Sequence, residues 1–521
     1  MNCFLDIFCC VKKRFYTVKS KYVSINTYVY LLHTNQNQFI MQKSTTTIQK
    51  IKALKEGRNL KSLVLGLTIT LVGCNTVNAQ LTATGQLRTR SEFRDGYSTL
   101  QAKDAETAIF TSQRTRLNVG FTGYRFKFFV AIQDVRVWGQ DASTINKTTT
   151  AENNGVQLHE AWGEIMLNDT ISNIQNLSLK IGRQEISYDD QKVIGGLDWL
   201  QQARYHDAIV LKYFNKGWTA DFGVAFNQNK EQLVGTIYNG VPAATSGYTA
   251  GTNGLGTNYK SLEYAYIAKK FFFGDISFLF LSDNFNKYTN VTTGTPAVTT
   301  KVNEQGIWTR NTTGFYYNVN ATRKLKLEGS VYHQFGHDKN GRSLSSNLAS
   351  ITTTLQVGRK LFVGPGVDYL SGNDGTEAVT ATSTNNQFDP LYGTPHKFWG
   401  TMDYFYAPSG FGAQGLLNYF LKAKYNLKDN LTLFADLHGF ESANSLSNGA
   451  GGKQTSYLGT ELDLKMNYSL TKMVNIEAGY SVMKATNSMA SAQVKNVANA
   501  NLTPQWAYIM VNIKPNFLNK K

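Results

Sequence analysis

The chain has 521 residues, with 53 Lys plus Arg against 36 Asp plus Glu, 30 Phe, 28 Tyr, 44 Gly and only 8 Pro. No apolar run reaches the ~18 to 20 residues of a spanning helix, so any membrane crossing has to be made by strands. All four cysteines (Cys3, Cys9, Cys10, Cys74) precede residue 80, and the remainder does not depend on disulfides.

Residues 1–40 have neither helix nor strand periodicity and read as upstream sequence translated from an early start codon. Residues 41–79 read as a secretory signal peptide: Lys52, Lys55, Arg58 and Lys61 lead into the apolar SLVLGLTITLVG, and the small-residue site VNA places cleavage before Gln80. LVGC at 71–74 resembles a lipoprotein processing site and gives the competing reading. Residues 80–521 carry 42 basic and 34 acidic residues, a net charge of +8. For an exported chain this favours an anionic membrane or solute as partner over nucleic acid.

From Gln80 onward the hydrophobic period is two. LTATGQLRTR places Leu81, Ala83, Gly85 and Leu87 on one face and Thr82, Thr84, Gln86, Arg88 and Arg90 on the other, and LTLFADLHGF, LGTELDLKMNY and AYIMVNIKP repeat the split. An apolar face opposed by Glu, Asp, Lys and Arg predicts an all-β, antiparallel transmembrane β-barrel with a wet lumen. The expected strands are 81–94, 112–123, 126–138, 156–167, 177–188, 206–214, 218–227, 260–270, 275–284, 307–320, 325–337, 349–358, 361–371, 417–427, 431–440, 457–468, 474–484 and 504–514. These are about 18 strands, with long extracellular loops alternating with short periplasmic turns. HKFWGTMDYF (396–405) also alternates, but counting it as a span reverses every later strand. Residues 372–412 are therefore read as one long extracellular connection able to fold into the pore.

Charge concentrates on this frame. RQEISYDDQ (183–191) supplies Arg183, Asp189 and Asp190 at the outer end of strand five, followed by Arg204, with Lys180 one layer below. Across the lumen stand Arg88, Arg90, Arg114 and Arg116 with Glu160 and Glu164, and Lys397 and Asp403 join if the long connection enters. A basic ring with interleaved carboxylates attracts a polyanion without trapping it, and the Arg fork meets a carboxylate with two hydrogen bonds. The plainer reading is that these ladders satisfy one another inside a large barrel.

RTRLNVGF (114–121), KIGRQEISYDDQKVIGGLDWLQQARYHDAI, DYLSGND (which includes Asp368), FDPLYGTPHKFWGTMDYF and the closing WAYIMVNIKPNF together resemble the alginate-export porin family of Gram-negative outer membranes. The resemblance implies an 18-stranded monomeric barrel whose Arg-rich, acid-buttressed constriction passes a polyuronate. Residue by residue it assigns that constriction to Arg88, Arg114, Arg116, Arg183 and Arg204, with Glu160, Asp189 and Asp190 as buttresses. The implied partners are an anionic saccharide, outer-membrane lipid and the barrel-assembly machinery, with no cofactor, no metal and no enzymatic activity. A less specific anion-preferring diffusion porin is the alternative. An outer-membrane hydrolase is more remote, because none of the six histidines after residue 80 lies in a nucleophile motif.

Mass spectrometry of the outer-membrane form should find Gln80 at the N-terminus. A diacylated Cys74 would contradict the signal-peptidase reading.

Overall fold

The computed structural model describes residues 80–139, 155–168, 176–228, 233, 259–380, 382–405 and 412–520. The expected extension and signal peptide, residues 1–79, lie outside them, as do most of the loops expected at 139–155 and 228–259.

The strands in chain order are β1 (Gln80–Asp95), β2 (Ala108–Thr122), β3 (Phe126–Val137), β4 (Gln157–Met166), β5 (Leu177–Gln184), β6 (His206–Asn215), β7 (Trp218–Phe226), β8 (Ser261–Phe271), β9 (Gly274–Thr293), β10 (Val298–Asn320), β11 (Leu325–His337), β12 (Ser343–Gln356), β13 (Leu361–Leu370), β14 (Leu416–Lys428), β15 (Leu431–Glu441), the two-residue pair β16 (Leu446–Ser447) and β17 (Lys453–Gln454), β18 (Tyr457–Ser469), β19 (Val474–Ala485), β20 (Gln505–Ile513) and β21 (Asn516–Lys520). Leaving aside the β16–β17 hairpin and the short β21, 18 strands pair antiparallel with their chain neighbours. β1 closes the sheet by pairing with both β2 and β20, Leu87 facing Thr115 on one side and Ile513 on the other. β21 continues the last stave along the start of β1. Closure leaves no sheet edge, as a lipid environment demands.

The distribution of polarity inverts that of a soluble protein. Leu117, Phe128, Phe222, Phe315, Val331 and Leu421 are exposed on the outer face. Arg114, Asp283, Arg310, Gln334, Asn418 and Glu461 are buried on the inner one. Alternation within each strand produces this split, because successive side chains point to opposite faces.

Two boundaries differ from expectation. The loop expected at 285–306 is mostly strand: β9 and β10 continue as a paired hairpin, Asn290 facing Lys301 and Thr293 facing Val298. Polar but β-branched stretches such as NVTT sustain pairing without an apolar face. Ser343–Ser350 likewise belongs to β12, which shortens the preceding loop. Residues 396–405 form no strand. Pro395–Lys397 is a single 3₁₀ turn, and Asp403 has a positive φ of 57° that breaks extended pairing.

Leu421 lies on the outer face midway along β14, opposite Leu437. Leu421→Arg should destabilise the membrane-embedded barrel by about 2–4 kcal/mol, read from urea unfolding in vesicles. Arg tolerated there at no cost would mean that this face does not meet lipid.

Candidate functional site

Two connections fold into the lumen and interlock. The first, residues 185–205 between β5 and β6, buries Ile186, Val193, Ile194 and Leu197, each at most 3 % exposed. The second runs between β13 and β14 and buries Phe388, Trp399, Met402, Tyr404 and Phe405. They meet in a short parallel bridge at Ile194 and Tyr392, with backbone bonds from Gly195 N to Tyr392 O (2.9 Å), Tyr392 N to Val193 O (3.0 Å) and Thr394 N to Gln191 O (2.8 Å). Gly393 permits this approach, since a Cβ there would lie 2.1 Å from the Lys192 carbonyl oxygen.

The inward arginines of β1 and β2 hold the first connection. Arg88 donates to Gln201 Oε1 (2.9 Å) and to the carbonyls of Asp198 (2.7 Å) and Leu200 (3.0 Å). Arg90 donates to the Trp199 carbonyl (2.9 Å) and Glu92 (2.9 Å), and its guanidinium lies 4.2 Å from the Trp199 ring centre. The opposite side of the indole stacks on His396 of the second connection, at 3.9 Å and 7°. Arg114 pairs with Asp198 at 2.8 Å and donates to Gln86 at 2.8 Å. These three arginines are at most 3 % exposed. They face the lumen as alternation predicts, yet most of their guanidinium nitrogens contact protein acceptors, the Arg114 Nε is buried without one, and none is presented to a solute.

Other members of the expected constriction also serve as anchors. Asp368 is 1 % exposed and binds Lys192 at 2.8 Å, with Asp190 3.8 Å from the same ammonium. Asp189 accepts from Tyr266 and Ser277, both at 2.8 Å. Arg204 donates to the carbonyls of Gly195, Tyr392 and Gly393 and so clamps the bridge. Lys397 donates to the Asp190 carbonyl at 3.0 Å, and Asp403 accepts from Tyr97 and faces His396 Nδ1 at 2.9 Å. The expected role of Asp189 and Asp190 as buttresses of the constriction's arginines is corrected accordingly.

Arg183 requires the largest correction. It stands three positions from inward-facing Lys180, on the opposite face of β5, and forms a two-pronged pair with Asp207 at 2.8 and 2.9 Å on the barrel exterior. Its guanidinium lies 4.4 Å from the Tyr205 ring centre. Odd spacing from Lys180 was the available signal, since strand alternation excludes a shared wall.

Anchors not singled out in the sequence complete the second connection. Arg310 grips Asp283 (2.6 Å) from the wall and Asp389 (2.6 Å) from the connection. Gln334 exchanges bonds with the Asp389 backbone at 2.7 and 2.9 Å. Glu461 accepts from Met402 N at 2.9 Å, and Asp463 accepts from Thr401 Oγ1 at 2.5 Å. Lys495 donates to the Tyr404 carbonyl, and the desolvation of its ammonium on packing brings its pKa down to about 7.

One half-open stretch of the lumen wall lies on β2 to β5. Arg116 binds Gln133 Oε1 at 2.5 and 3.1 Å, within electrostatic reach of Asp198, Glu160 and Glu185. Lys180 lies 4.0 Å over the Trp162 ring. Nearer the short turns, Glu164 joins Ser178 (2.7 Å) and Lys127 (3.2 Å). The arrangement is a mixed-charge wall bordered by a docked segment. Charge-assisted bonds to buried guanidinium groups contribute about 1.5–3 kcal/mol each, so replacing Arg88 and Arg114 together with Ala should undock residues 198–202 and raise single-channel conductance while the barrel still assembles. Unchanged conductance would show that these arginines do not hold the constriction.

Residues 79–226 match the model of the alginate export family. No curated protein matches the chain in sequence. Among solved structures, Acinetobacter baumannii OccAB4 superposes with a TM-score of 0.54 at 12% identity, covering 84% of this chain and 98% of that one. Pseudomonas aeruginosa OpdL gives 0.53 at 12% over 84% and 99%, and Pseudomonas aeruginosa OpdO gives 0.52 at 11% over 84% and 98%. The first third of the barrel chain is thus similar to the alginate export family, and by fold the chain is an 18-stranded antiparallel closed barrel like those of the Occ porins.

Proposed function

We propose that the barrel is a channel for carboxylate-bearing saccharides, uronate oligomers above all, which pass the β2–β5 wall in contact with Arg116 and Lys180. The observation that carries this reading is that these two inward cations keep partial exposure, whereas the neighbouring arginines are consumed by the docked connection. The family match covers the strands that bear both residues. Arg116 supplies the planar fork for a carboxylate, and Lys180 supplies a point charge one step further along the path.

Glu160, Glu185 and Asp198 border the same path, so binding is weak enough for release. The aperture left by two docked connections favours short or extended single chains over bulky polymers. The carboxylates also support the competing reading of a diffusion porin with only mild anion preference, and the same experiment separates the two. In planar bilayers, oligouronates should block current at concentrations where neutral oligosaccharides of equal length do not. Arg116→Glu with Lys180→Glu should abolish the block and move the reversal potential toward cation preference. Equal block by neutral and acidic sugars would overturn the uronate reading in favour of the diffusion porin.

A further inference from the structure

Charge at the short-turn rim is strongly one-sided. Arg125, Lys216, Lys324, Lys360, Lys428 and Lys472 stand in or beside different short turns, all exposed. Asp429 is the one acid in those turns among the described residues. The lumen shows the opposite habit: Lys127, Lys212, Lys326 and Lys422 each lie within 4 Å of a carboxylate, Glu164, Asp221, Glu328 and Asp436 respectively. None of the six rim cations forms an ion pair among the described residues. Just above them the exterior carries exposed Tyr124, Phe126, Trp218, Phe272 and Phe517, the aromatic girdle that marks a headgroup boundary.

The exterior is indented near this rim. Ala423 and Ala435 face each other across β14 and β15, and with Ala478 of β19 and the intervening Leu464 and Met466 of β18 they line a groove of about 510 Å³ between Tyr425 and Tyr480. The three alanines are its low points. Lys428 follows Tyr425 by three residues, roughly 10 Å along the strand, and Lys472 occupies the adjoining β18–β19 turn.

We propose that this groove binds an anionic phospholipid of the periplasmic leaflet, with an acyl chain over the three alanines and the phosphate between Lys428 and Lys472. Charge complementarity selects the headgroup, since each cation at an anionic membrane surface adds attraction that falls off within a Debye length. Shape selects a chain lying along the groove. The inference rests on the membrane placement of the barrel and is independent of the solute, so failed uronate block leaves it standing.

Native mass spectrometry of the full barrel exposed to equal phosphatidylglycerol and phosphatidylethanolamine of matched chains provides the test. The expected result is about a tenfold preference for phosphatidylglycerol, on the order of what one to two interfacial cations supply. Lys428→Gln with Lys472→Gln should remove the preference. Ala435→Phe, which fills the groove from the lipid side, should remove the retained lipid while conductance stays unchanged. Lys472→Gln alone provides a milder variant, and heat-modifiable gel migration verifies folding of each. Equal retention of the two lipids, or variants that retain phosphatidylglycerol as wild type does, would overturn the proposal. So would displacement by inorganic phosphate with Ala435→Phe inert, which describes a bare anion site, or capture of an oligouronate at the rim without lipid preference.

Discussion

A charged group on the inner wall of a closed barrel has to find an opposite charge, a hydrogen-bond acceptor or water, and in this protein the competition among those three decides the architecture of the lumen. Unpaired burial of a guanidinium is prohibitive. Arg88, Arg90 and Arg114 resolve it by recruiting the carbonyls and Asp198 of the β5–β6 connection. Arg310 resolves it by recruiting Asp283 and Asp389. The inner wall is thus a set of fixed acceptors and donors to which two chain segments dock, and the aperture is whatever those segments leave open.

The two segments also depend on each other. Trp199 is held between the Arg90 guanidinium and the His396 ring, and the bridge at Ile194 and Tyr392 ties the connections into one body clamped by Arg204. A change in either anchor set therefore reaches the other segment. Selectivity then belongs to few residues, because most lumenal charge is already neutralised locally and only partly exposed groups such as Arg116 and Lys180 act on a passing ion.

The barrel itself was legible from period-two alternation, and its 18 strands follow from the spacing of short turns. The same periodicity that set the inner face of β1 and β2 also rules Arg183 out of the lumen, because residues 180 and 183 differ in parity. What alternation does not reveal is occupancy. Arg88 and Arg116 both point inward, and only the path of residues 185–205 decides that the first is consumed and the second is left half-open. The ladder of β9 and β10 is silent in the sequence for a related reason: NVTT and VTTK lack an apolar face, so pairing there leaves no hydrophobic signature. The docked connection at 372–412 announced itself only through a conflict of strand direction at 396–405.

The central claim is that the inward connections are part of the folded wall and not mobile loops across its mouth. Amide hydrogen exchange of the barrel in lipid nanodiscs tests it most directly. Residues 191–204 and 388–402, whose amides include Gly195, Tyr392, Thr394 and Arg204 in backbone bonds, should exchange as slowly as the flanking strands β5, β6 and β13. Exchange of these segments as fast as that of the exposed turns would contradict the account.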